Sequence, residues 1–214
     1  MKNKSISNKF AAYRRLITNA RNPEVLALLK TIGVDEPYLN EGDRKYADAV
    51  LFQEYKQKEY QEQDLAYDEY FSVRDAVRIT FNKTLKLVKL VTRNDKDLQD
   101  RLKLKTGRAL AIEEWIDQGI SLYIAIEQEA DLMAKLARFK KTKAVLNGEK
   151  EALISLQGLR DNASTEQAQA QEATRKRNEK LEELDDYCVE LKGLAELAID
   201  GESQLLEKLG LKAK

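Results

Sequence analysis

Reactive side chains are scarce in this sequence. Its 214 residues include no histidine and one cysteine, Cys188. Without imidazole the chain lacks the usual general base, the commonest transition-metal ligand and every nucleophilic triad built on histidine. The Glu-x-x-His pairs of carboxylate-bridged di-iron bundles are excluded for the same reason. Cys188 follows Tyr187 on an apolar seam, where a small buried hydrophobe is expected rather than a nucleophile. Carboxylates are abundant, but the segment Glu179–Asp186, EKLEELDD, has basic partners three and four positions away and reads as a solvated helix face. Gly107, Gly119, Gly148, Gly158 and Gly193 stand alone, so no glycine-rich phosphate loop is present. The expectation is a chain with no catalytic residue, no metal and no cofactor.

Two patterns suggest contact rather than catalysis. Tyr55, Tyr60, Tyr67 and Tyr70 form a tyrosine row with Tyr46 upstream of it. Tyrosine combines a large apolar ring with a hydroxyl that tolerates water, which suits interfaces. Lys83, Lys86, Lys89 and Arg93 then share one helical stripe, opposite Phe81, Thr84, Val88 and Val91. Just upstream lies an acidic block of Glu54, Glu59, Glu62, Asp64, Asp68 and Glu69. Opposite charges along one helix would let an antiparallel copy pair acidic middle with basic end. These eight tyrosine, lysine and arginine positions are the candidate interaction surface.

Such a surface needs long helices to carry it. Only two prolines and nine glycines occur, and 35% of residues are charged, which favours helix over sheet or loop-rich folds. Residues 43–93 contain neither Gly nor Pro. A seven-residue repeat runs through Tyr46, Gln53, Tyr60, Tyr67, Arg74, Phe81 and Val88, apolar at its ends and polar between. One helix is expected here, the alternative being a break between Lys56 and Leu65. A second long segment, 149–200, has the same character, with Asn162–Thr165 as its weakest point. Between the two, Ile112 to Phe139 reads as the most apolar helix, central and unbroken.

The chain also matches itself. Shifted by 107 positions, half its length, Leu87, Leu90, Leu98, Leu102 and Leu104 become Leu194, Leu197, Leu205, Leu209 and Leu211. Asn94 falls on Gly201, two residue types at ease in the left-handed conformation that ends helices. The reading is a tandem duplication of a helical unit, with 1–107 and 108–214 packed as an elongated, all-α antiparallel bundle.

The closing segment from Ala195 to Leu211, AELAIDGESQLLEKLGL, resembles that of uncharacterised bacterial all-helical proteins, whose long helices end in a short leucine motif of the LLExLG[IL] type. The resemblance is weaker in the first half, where Lys103 stands in place of Gly210. It implies a helical fold and brings no activity with it.

Thirty-seven basic residues balance thirty-seven acidic ones, which argues against nucleic acid as a partner. No stretch approaches the ~20 apolar residues of a membrane span, and the first residues lack the apolar core of a secretory signal. One cysteine fits a reducing, cytoplasmic setting. The expected function is a non-enzymatic structural or protein-interaction scaffold, forming a homo-oligomer or binding a protein partner. The alternative is a small-molecule or lipid-binding bundle, with a cavity where the polar seams meet Trp115 and Tyr123.

Overall fold

The computed structural model describes residues 5–105, 107, 111–200 and 203–211. Among these there are eight helices and no strand: α1 (Ile6–Asn19), α2 (Pro23–Thr31), α3 (Glu36–Val91), α4 (Lys96–Arg101), α5 (Ile112–Glu127), α6 (Ala130–Ala137), α7 (Lys143–Ile199) and α8 (Ser203–Lys208). The protein is all-α. A shift of 107 positions carries the first four helices onto the last four, with boundaries agreeing to within a residue.

Local chemistry sets these boundaries. Asn22 caps α2 through the Glu24 amide at 3.1 Å, with Pro23 in the first helical position. Asp35 accepts from the Tyr38 amide at 3.2 Å and starts α3, with Pro37 in the first helical turn. Helix α2 ends at Gly33, φ 88°, where the Val34 amide reaches back to the Leu29 carbonyl at 3.1 Å. Its counterpart at the end of α6 is Lys140, φ 63°, with the Lys141 amide on the Leu136 carbonyl at 3.1 Å. Lys103 (φ 52°) and Gly210 (φ 78°) form a second matched pair after α4 and α8.

Helix α3 has 56 residues and α7 has 57, both unbroken. The Asn162–Thr165 stretch stays helical, and the Thr165 hydroxyl donates back to the Asp161 carbonyl at 2.9 Å within the helix. Two expectations are corrected. The apolar run from Ile112 is not one helix: it breaks at Gln128–Glu129, and Arg101 clasps the Glu129 carboxylate with two bonds of 3.0 and 3.1 Å. The break lets Ile126 and Leu132 both turn into the core. Asn94 is not in the left-handed region. The end of α3 is satisfied otherwise: the Gln99 side-chain Nε2 donates to the Thr92 carbonyl at 2.9 Å, and Asp95 caps α4 through the Leu98 backbone amide at 3.0 Å. Gly201 lies outside the described residues.

Two compact units result, and each draws on both halves of the sequence. The first comprises Met1–Tyr60 and Gln169–Lys214, the second Gln61–Ala168. They differ from the 1–107 and 108–214 halves because α3 and α7 each contribute residues to both. The first unit's core joins Leu16, Ile17, Val25 and Leu29 to Leu184, Leu191 and Leu209. That of the second joins Phe81, Leu85 and Val88 to Ile116, Tyr123, Ile126, Leu146 and Leu153. Gly119 of α5 lies where any Cβ would meet Leu153 Cδ1 at 2.8 Å, so its missing side chain sets that close approach.

Candidate functional site

Cys188 is buried in the first unit's core. Burial first, then the neighbouring Asp185 carboxylate, pushes its thiol up to about 12, so it stays protonated and unreactive at neutral pH. The acidic face of α7 is held by solvated ion pairs. Arg175 bridges Glu172 and Glu179, and Lys180 donates to Glu183 at 2.7 Å.

The tyrosine row divides. Tyr70 is 6% exposed and belongs to the second unit's core, which removes it from any accessible surface. Tyr67 in the same unit donates to Gln167 Oε1 at 2.8 Å, joining α3 to α7. In the first unit the Tyr60 hydroxyl lies 3.2 Å from Thr174 Oγ1, and Lys56 Nζ sits 4.9 Å above its ring. Tyr55 meets Phe52 edge-on at 6.3 Å. Tyr60 and Tyr67 therefore serve the chain's own α3–α7 contact. Lys83, Lys86, Lys89 and Arg93 are all exposed, as the spacing predicts.

The second unit contains a groove of about 320 Å³ that the sequence indicated only through Tyr123. Helix α3 lines it with Ala76, Val77, Thr80 and Phe81, α5 with Tyr123, and α7 with Val145, Gly148, Glu149 and Ala152. Trp115 lies behind, edge-on to Phe81 with ring centroids 5.5 Å apart. Glu149 is the polar centre. Its Oε2 accepts from the Thr84 hydroxyl at 2.7 Å and the Tyr123 hydroxyl at 2.9 Å, and its Oε1 accepts from Lys141. The Glu149 side chain is only 10% exposed and that of Lys141 19%. Burial, followed by the charge of Glu149, raises the Tyr123 hydroxyl well above its ordinary ionisation range, so it remains a donor.

Glu149 was legible in principle. It stands between Leu146 and Leu153 at helical spacing, an ionisable residue in an apolar stripe. Its three donors come from separate segments, and no local motif unites them.

Beside this geometry, comparison with known proteins is silent: no family model matches the chain, no curated protein matches it, and no solved structure matches it. Among the described residues no helix is long and apolar enough to cross a membrane.

Proposed function

We propose that the protein is a non-enzymatic helical scaffold, arisen by tandem duplication, that assembles with a second copy of itself in the cytoplasm. The duplication is supported by the constant shift between helix boundaries and by the two matched left-handed positions. One observation carries the assembly reading. The outer face of α3 in the second unit exposes Leu65, Ile79 and Leu90 at 69%, 57% and 58%, and its charge reverses about Ile79. On one side stand Asp68, Glu69 and Asp75; on the other stand Lys83, Lys86, Lys89 and Arg93, all exposed.

An antiparallel copy centred on Ile79 sets Asp75 opposite Lys83 and Glu69 opposite Lys89, since each pair is equidistant from the centre. Such self-complementarity is what a two-fold contact requires. Exposed ion pairs are worth only about 0.2–1 kcal/mol each, so they set register while Ile79, which meets its own copy at the centre, provides the apolar contact. Leu65 and Leu90 fall opposite Arg93 and Asp68, whose side chains cover them. The tyrosines are not needed for this contact.

Sedimentation at tens of micromolar tests the reading. A dimer is expected, weakened by Asp75→Lys, restored when Lys83→Asp is added, and lost in Ile79→Glu. A monomeric wild-type chain would refute it. The other reading, a bundle that binds a small molecule, has the groove at Tyr123 and Glu149 in its favour.

A further inference from the structure

The first unit shows what its counterpart lacks. Shifted by 107 positions, Thr80 corresponds to Tyr187, Val145 to Tyr38 and Glu149 to Gly42. In the first unit the Tyr187 ring stacks on Tyr38 with centroids 5.0 Å apart, and its hydroxyl donates to the Tyr38 carbonyl at 3.0 Å. The ring lies so close over Gly42 that a Cβ there would collide with Tyr187 Cε1. A phenol thus fills that place. In the second unit both aromatic residues are replaced by small ones, Glu149 stands where Gly42 made room for the ring, and the space that remains opens as the groove beside Glu149.

We propose that this groove binds a small neutral phenol, or a ring of similar size bearing one hydroxyl. The inference rests on the small-molecule reading and names its ligand class. The size is adequate, because an apolar cavity of about 150 Å³ already accepts benzene and this groove has about 320 Å³. Val77, Phe81 and Ala152 supply an apolar wall, with few polar groups to fix orientation, as small-molecule sites require.

The polar end selects the head group. Glu149 and Lys141 already neutralise one another, so a charged ligand would bring an unpaired charge to a largely buried place. A carboxylate offers about four acceptor positions. Thr84 and Tyr123 take two on Oε2 and Lys141 takes one on Oε1, which leaves room for a single O–H donor.

The test is a chemical-shift titration of the full chain with p-cresol and with toluene. Saturable shifts at the amides of Val77, Tyr123, Gly148 and Glu149 are expected with p-cresol, and affinity for toluene at least tenfold lower. Val145→Phe adds bulk at the mouth, where Val145 is 41% exposed, and should abolish p-cresol binding while the spectrum stays native. Glu149→Gln should narrow the gap between the probes. Equal affinity for both probes would overturn the phenol assignment and leave an apolar groove. No saturable shift with either would overturn the small-molecule reading with it. Binding unchanged in a natively folded Val145→Phe variant would place the ligand elsewhere and overturn the proposal.

Discussion

Gly33 and Lys140 occupy matched positions and adopt the same left-handed backbone, with φ of 88° and 63°. Each ends a helix through the same pair of amide bonds. Only one of them is a residue suited to the conformation. A non-glycine residue there costs about 1–2 kcal/mol, part of which glycine returns as entropy in the unfolded chain. Lys140→Gly should therefore raise stability by about 0.5–1 kcal/mol. Gly33→Ala should lower it by about 1 kcal/mol, since its Cβ would meet nothing within 4 Å and only backbone strain remains. Urea denaturation of the two variants checks both signs.

Removing the Glu149 carboxylate should be costly for a different reason. Glu149→Ala leaves Lys141, Tyr123 and Thr84 without their shared acceptor, and breaking a buried pair from one side costs about 3–5 kcal/mol. Glu149→Gln keeps an acceptor and should lose less than half as much. Equal losses, read as denaturation midpoints, would show that the hydrogen bonds contribute little.

Alkaline pH should destabilise the protein in two steps. The Cys188 thiol is raised from 9.0 to about 12 in the fold, so the unfolded chain releases this proton first. Its contribution is complete below pH 9 and is lost as pH rises towards 12. Tyr13, Tyr123 and Tyr187 are raised from 10.0 and add to the loss from pH 10 upward. Stability should thus hold level to pH 9 and then fall. Cys188→Ala should remove the fall between pH 9 and 10 and make the later one shallower, leaving the part the tyrosines carry.

Gly42 and Tyr187 should be coupled with a change of sign. Gly42→Ala alone forces a Cβ against a ring held by Tyr38 and should cost about 1–3 kcal/mol. In a Tyr187→Thr background the ring is gone, and Ala should gain about 1 kcal/mol over Gly as the better helix former. A double-mutant cycle measures the coupling directly. Additive effects would contradict the observed packing.

Helix α3 was legible because its seam repeats every seven residues from Tyr46 to Val88 and no turn chemistry interrupts it; α7 was less so, since Asn162–Thr165 could have broken it and stays helical. The position of Tyr70 was not: its spacing fits an exposed row as well as a buried one, and packing on α7 decides between them. Asn94 misled because its residue type permits a left-handed end, while the Thr92 carbonyl finds Gln99 instead. The groove could not be read from either half alone. It exists through the contrast between Tyr187 and Thr80, two residues that become comparable only once the helices are matched.

The interleaving of the two units bears on synthesis. Leu98, Ile126 and Leu153 of one core all lie within Gln61–Ala168, so that unit has its whole chain available before the last residues are made. In the other, the core around Leu16 and Ile17 stays incomplete until Leu184 and Leu209 emerge. During translation the earliest hydrophobic segment is therefore the last to be covered. That places the exposure to chaperones and to aggregation at the amino-terminal helices rather than at the more apolar α5.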